Sequence, residues 1–196
     1  MPAASNGSNT GVYVYGVDPR NGKSYYFFET MGGGLGGRTT KDGKDAVQFG
    51  VTNTANSPIE AIERDFPLIV EEYTIAEDTG GAGRFRGGCG IRRVVRPLAE
   101  CTFGGIGERF DHHPWGVSGG AHAATGFFAI RNADGTERRL PNKVPKVTVQ
   151  PDQRIVMQTP GGGGLGSPSE RTSAAIEEDL RSGKFTESFI RVYYGV

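Results

Sequence analysis

The sequence predicts an α+β protein, predominantly β, and three observations carry that expectation. Short aromatic and β-branched runs recur between residues 12 and 158, each bounded by Gly, Pro, Asn or Asp. Before residue 168, one segment combines helix start and stop chemistry, around 58–66. Helical periodicity then returns after Pro168 and gives C-terminal helices.

Taken in order, residues 1–10 are rich in Ser, Asn and Gly and offer little to bury, so they are expected to be flexible or held by a partner. Val12-Tyr13-Val14-Tyr15 reads as a strand. Asp18-Pro19-Arg20-Asn21-Gly22 supplies turn chemistry before a second strand from Ser24 to Glu29, making a hairpin. Gly32 to Gly37 cannot hold a regular element without a large entropy cost and must be a fixed loop or a lost one. Ser57 stands where an N-cap hydroxyl belongs, Pro58 at the first helical position and Glu60 at the third. Ile59, Ile62 and Phe66 mark one apolar face, and Pro67 stops the helix.

Further short antiparallel strands are expected at 68–75, 91–95, 127–131, 144–149 and 155–158, with a hairpin loop at Asn132-Ala133-Asp134-Gly135. Ile176 and Leu180 share a face of the next helix, with Gly183 at its end, and Thr186 caps a last helix through Phe189, Ile190 and Tyr193. The expected organisation is one domain over 11–196, ending in a helical tail from about 170.

Composition narrows function by exclusion. The 196 residues include 32 Gly and 11 Pro, well above ordinary usage, yet 36 % are hydrophobic, enough for a sizeable core. Acids and bases balance at 22 each, so no field favours nucleic acid or an anionic membrane as partner. No apolar run approaches bilayer length and the first residues lack signal-peptide regions, so a cytoplasmic chain is expected. Cys89 and Cys101 show neither CxxC nor haem spacing and read as two reduced, half-buried thiols.

Several segments invite chemistry. Gly32–Gly37 lacks the lysine and hydroxyl of a P-loop, and Gly161–Gly166 leads into Ser-Pro; both read as tight turns or close backbone packing in preference to phosphate cradles. His112, His113 and His122 fall near Glu108 and Asp111, but Pro114 and Gly116 oppose a helix that could converge them on a metal. A solvated or interface loop anchored by Trp115 fits better, so no metal ligand is assigned. Thr52-Asn53-Thr54-Ala55-Asn56 concentrates amides and hydroxyls at a helix entry, where they can meet a polar ligand or satisfy local backbone. No GxSxG or oriented histidine is present, so no catalytic residue is assigned.

These segments in order resemble one family. Phe28-Glu29-Thr30-Met31 with the following glycines is similar to the "YETIGGGxG" segment of the hydantoinase B/oxoprolinase family, and residues 52–60 to its "TNTxNTPxE" stretch. Residues 78–88, Pro114-Trp115-Gly116 before Gly119-Gly120, Leu140–Lys143, Thr159–Gly166 and Tyr194-Gly195-Val196 extend the resemblance over about 24–196. B-type chains of that family are much longer, so this one looks like their C-terminal third, as a small subunit or a fragment. The resemblance implies a hetero-oligomeric ATP-dependent hydrolase of cyclic amides, inactive as this chain alone. An A-type subunit would bind ATP and phosphorylate the substrate, and the N-terminal B-type part would carry the divalent metal. It implies no cofactor bound by this chain.

Relatives that carboxylate acetone or acetophenone keep a ketone carboxylase subunit as an alternative, and a non-catalytic assembly module is a third. Family members commonly carry histidine before the "TNT" segment, where this chain has Gln48, Phe49, Gly50 and Val51. Hydrogen bonding therefore replaces proton transfer as the expected role there. Thr52, Asn53, Asn56, Glu60 and Glu108 are the candidates for a substrate pocket or subunit seam.

Overall fold

Two antiparallel sheets lie face to face in the structure, a computed structural model that describes residues 1–196 apart from 49, 51 and 53. The first has strand order β2-β1-β5-β8, from β1 (Thr10–Val17), β2 (Ser24–Met31), β5 (Cys101–Ile106) and β8 (Lys143–Val149). The second runs β3-β4-β9-β6-β7, from β3 (Leu68–Ile75), β4 (Ile91–Pro97), β6 (Phe127–Arg131), β7 (Glu137–Leu140) and β9 (Arg154–Gln158). The helices are α1 (Ile59–Asp65), α2 (Ser173–Arg181) and α3 (Glu187–Tyr194). The α+β, predominantly β expectation holds among the described residues.

Strand alternation builds the core between the sheets. Val12, Val14, Phe27, Met31, Phe103 and Val149 point inward from the first sheet, and Ile91, Val95, Phe128, Ile130, Ile155 and Met157 from the second. Phe103 meets Phe128 edge to face at 5.6 Å. The expected hairpin pairs Tyr13 with Phe28 and Val17 with Ser24. Two strands appear beyond the expectation, β5 and β7. Gly104 and Gly105 hide the first, although a Cβ at Gly104 would overlap the Tyr13 ring and one at Gly105 the Phe128 ring. Three consecutive charges hide the second.

The Gly-rich segments are fixed by one another. Gly34 N–H donates to Pro160 O at 3.0 Å, Gly37 to Gly163 O at 2.8 Å, Gly88 to Leu35 O at 2.8 Å and Gly162 to Gly88 O at 2.9 Å. A Cβ on Gly34, Gly87, Gly162 or Gly164 would overlap a neighbouring carbonyl, so these positions are glycine for close backbone approach. Gly81 N–H is spent on Gly162 O, Gly163 N–H on Ala4 O and Gly164 N–H on Ala121 O. Amides committed to carbonyls are not available to cradle phosphate.

This glycine layer also corrects the expected flexible terminus over 1–10. Ala3 N–H donates to Gly37 O, Ala4 N–H to Trp115 O and Asn6 N–H to Gly34 O, and Ala3, Asn6 and Thr10 are buried. The segment has few side chains to bury, but its backbone fills the hydrogen-bonding sites that side-chain-free neighbours leave open.

Helix α1 corrects a second expectation. It begins at Ile59 with Pro58 as N-cap, and no side chain caps it. Glu29 Oε1 accepts from the Ser57 N–H at 2.7 Å and so occupies the amide to which Glu60 would return in a capping box. Thr186 does cap α3, accepting from Phe189 N–H at 3.1 Å. Buried charge ties α2 to the glycine layer: Asp179 accepts from Arg86 at 2.8 Å and Arg171 at 2.9 Å, and Arg171 reaches Asp42 at 2.9 Å. The thiols are more enclosed than expected, both free and buried, Cys89 beneath α2 and α3 and Cys101 between the sheets. Burial pushes Cys89 up to about 11 and Cys101 up to about 12.

Candidate functional site

Asn56 is the expected residue around which the structure gathers a site. Its Nδ2 donates to the Tyr73 hydroxyl, and its Oδ1 accepts from Gln48 Nε2 at 3.4 Å. Gln48 Nε2 also donates to Thr30 O at 2.8 Å, joining the segment to β2. The next residue, Ser57, is held by Glu29, which points inward from β2 because it shares the phase of Phe27 and Met31. The other Glu29 oxygen is paired with Arg93 of β4. Arg93 is 1 % exposed, and its guanidinium lies 4.2 Å from the centre of the Tyr73 ring.

Beside this network is a cavity of about 200 Å³ bordered by Ala46, Asn56, Tyr73, Thr74, Ile75 and Ile91. Several buried polar side chains hold unused capacity. Arg93 Nε and Nη2, Gln48 Oε1, Thr10 Oγ1 and both amide atoms of Asn6 have no hydrogen-bond partner among the described residues. Asn6 packs against Gly33, which bridges Val47, the neighbour of Gln48. Each unpaired buried polar atom costs about 1–3 kcal/mol, so the open nitrogens of Arg93 and the open oxygen of Gln48, in residues that touch Tyr73 and Asn56, are capacity that a polar ligand could use.

The remaining expected residues fall as follows. Thr52 Oγ1 accepts from Asn9 Nδ2 at 2.6 Å, and Glu108 Oε2 accepts from Ser8 N–H at 2.8 Å. The N-terminal segment thus links Thr52 to Glu108 across 56 positions of sequence. Glu60 is exposed in the first turn of α1, and no hydrogen bond joins it to the cluster among the described residues. Asn53 lies outside the described residues, as do positions 49 and 51. Sequence reasoning missed Asn6, Tyr73 and Arg93. Glu29 was visible within its motif, but nothing local signalled that it turns inward to meet an arginine 64 positions away.

The set is nearly neutral, since Glu29 offsets Arg93. It offers amide donors and acceptors, one phenol and two open guanidinium nitrogens. Such groups recognise a polar ligand by hydrogen bonds and, unaided, supply no nucleophile or general base. Among the described residues no three His, Cys, Asp or Glu side chains converge as a metal site. His113 Nδ1 lies 2.7 Å from Ala123 O, and His122 Nδ1 accepts from Gly116 N–H at 3.2 Å. Trp115 is exposed and carries the Arg109 guanidinium 4.5 Å from its ring. No helix among the described residues is long and apolar enough to cross a membrane.

Comparison with known proteins places this arrangement. The chain is 43 % identical over 187 residues to an uncharacterized protein of Methanocaldococcus jannaschii, covering 95 % of this chain and 32 % of the relative. It is 36 % identical to the putative D-/L-hydantoinase B subunit of Pseudomonas sp. strain NS671, covering 94 % of this chain and 32 % of that one. Identity to the caprolactamase beta subunit of Pseudomonas jessenii is 32 %, over 98 % of this chain and 35 % of the relative. The crystal structure of that organism's ATP-dependent caprolactamase superposes with a TM-score of 0.87 at 28 % identity, over 100 % of this chain and 35 % of the other. An acetone carboxylase superposes at 0.82 with 20 % identity, over 100 % of this chain and 30 % of the other, a likeness of fold alone. The chain therefore spans about a third of the length of these relatives. With the hydantoinase B/oxoprolinase family model matching residues 1–168, the chain belongs to the hydantoinase B/oxoprolinase family.

Proposed function

We propose that this chain completes the B-type half of an ATP-dependent hydrolase of cyclic amides and is inactive alone. One observation carries the reading: at least 32 % identity over nearly the whole chain to subunits named for hydantoin and caprolactam hydrolysis. ATP and its magnesium bind to an A-type partner, which phosphorylates the amide oxygen, and the rest of the B-type polypeptide holds a divalent metal. Assigning ATP to the partner agrees with the sequence, which has no P-loop, and with the amides of Gly34, Gly37, Gly81, Gly88 and Gly162–Gly164, which donate to backbone carbonyls. The reaction takes place in the cytoplasm.

The role of the 48–57 segment follows from its chemistry. A ring amide presents a carbonyl acceptor and an N–H donor side by side. Asn56, Gln48, Tyr73 and the open nitrogens of Arg93 are the complementary set. The segment therefore borders the substrate pocket. The ketone carboxylase alternative has lower identity behind it.

The test is ATP turnover by the complex purified through this chain. Stimulation by hydantoins or lactams without bicarbonate supports the reading, and a requirement for a ketone plus bicarbonate replaces it with carboxylation. Asn56→Ala is expected to lower turnover at least tenfold, the effect of about 1.4 kcal/mol, with assembly intact. Unchanged turnover would remove the segment from the pocket.

A further inference from the structure

The outward side of the first sheet carries a run of exposed aromatic and aliphatic side chains. The registers of β1 with β2 and β5 turn Gly11, Tyr13, Tyr15 and Val17 outward from β1, Ser24, Tyr26, Phe28 and Thr30 from β2, and Thr102, Gly104 and Ile106 from β5. None of these residues is charged, and the fourth strand, β8, adds exposed Lys143 and Lys146 at the edge of the sheet. Tyr26 is 60 % exposed, Phe28 59 %, Val17 54 % and Ile106 52 %. The rings of Tyr13, Tyr15 and Tyr26 stand 6.0–6.3 Å apart and nearly parallel, forming a continuous aromatic shelf. Beside it, Tyr13, Phe28, Ile106, Val144 and Pro145 line an apolar groove of about 360 Å³, with Lys143 at its rim.

The same chain shows how it finishes a sheet for water. Outward from the second sheet, Arg92 pairs with Glu72, Arg96 and Arg154 share Glu71, and Arg131 pairs with Glu137, over a floor of Val94, Ala129 and Val156. The first sheet has no such cover. Contiguous exposed apolar surface of this kind marks an interface.

Resting on the B-type reading above, we propose that this face is the seam against which the other two-thirds of a hydantoinase-B-type polypeptide packs, through an apolar and uncharged surface of its own. Two observations select that occupant over a second copy or the ATP-binding chain. The relatives are about three times as long as this chain, and in the caprolactamase structure the whole of this fold accounts for only 35 % of a chain. In such a chain, nearly twice as much protein belongs to the same polypeptide. The uncharged shelf also suits a permanent seam. A surface that must separate from a partner is more polar.

The test is photo-crosslinking in the source organism, with a photoreactive benzoylphenylalanine replacing Phe28 and, as a control, Arg139 on the outward side of the second sheet. The proposal expects an adduct from position 28 alone, identified by mass spectrometry as a polypeptide matching the remainder of the hydantoinase B family. Phe28→Lys and Tyr26→Lys, each checked for an unchanged melting temperature, should cut recovery of that polypeptide by roughly tenfold or more. Adducts with a second copy of this chain, or with the ATP-binding chain, overturn the proposal. Undiminished recovery with both lysine variants also overturns it while leaving the assembly reading standing. Failure of any B-type polypeptide to accompany the unaltered chain refutes both.

Discussion

The outward faces of the two sheets answer the same physical problem in opposite ways. Each sheet has one side in the shared core and must finish the other. The second sheet places small Val94, Ala129 and Val156 next to the backbone and covers them with arginine stems whose heads pair with Glu71, Glu72 and Glu137. Phe127, also outward, lies under the guanidinium groups of Arg92 and Arg139. The first sheet leaves Tyr15, Tyr26 and Phe28 uncovered. Burial on one face therefore comes from the chain's own charged side chains, and the other face keeps its aromatic side chains exposed. Exposure by itself would not teach this; the contrast within one molecule does.

The largest effect expected from this comparison comes from placing a charge at matched outward positions. Val94→Asp puts a carboxylate beneath the arginine cover, at a site 1 % exposed, and should destabilise the chain by about 3 kcal/mol or more in urea unfolding. Phe28→Lys should change stability by less than about 1 kcal/mol, because that position is already wet. Equal losses at the two sites would erase the distinction.

A smaller effect concerns acid. Glu71 is held below the usual carboxylate range by hydrogen bonding to Arg154, against the opposing pull of burial, and further by Arg96. A depressed carboxyl stabilises the fold above its ordinary value and loses that contribution as the pH falls through its folded value. Glu71→Gln should therefore lower the melting temperature modestly at pH 7 and flatten its decline below about pH 4.5, so that the two chains converge in acid. A melting temperature that falls with acid as steeply in Glu71→Gln as in the wild-type chain would mean that the charged cover contributes nothing.

The smallest effect is on thiol reactivity. Cys101 sits on the inner side of the uncovered first sheet and Cys89 beneath the C-terminal helices. Burial raises both, so each stays a thiol, and their contribution to stability is present below the ordinary 9.0 and lost as pH rises toward about 11 and 12. At pH 8 the folded chain should resist a disulfide reagent at both cysteines. Selective labelling of Cys101 would show that the first sheet opens when its outward face lacks a partner.

Much of the fold was legible because strand alternation and turn chemistry are local. Leu68–Ile75 and Phe127–Arg131 begin and end where the sequence places them, since Pro67 and the Asn132–Gly135 turn punctuate them sharply. Cys101–Ile106 was not legible, because its two glycines read as loop until the rings of Tyr13 and Phe128 are seen lying against them. The Ser57 cap failed for a related reason: a long-range carboxylate, Glu29, outcompeted a local helix signal for the same amide. Of the candidate site, Asn56 and Thr52 could be named in advance from their chemistry. Tyr73 and Arg93 could not, because each is an ordinary member of an alternating strand.

The sequence by itself determined the fold class, the order of most strands, the two C-terminal helices and the family resemblance. Each of these rests on residues close together in the chain or on motifs in a fixed order. Only the tertiary structure decided that residues 1–10 close the glycine layer, that Glu29 meets Arg93 inside the molecule, and that the first sheet is left bare. The physical reason is common to all three. Backbone-to-backbone contact, a buried ion pair and an uncovered face are relations between segments distant in the chain, and no local pattern records which segments will meet.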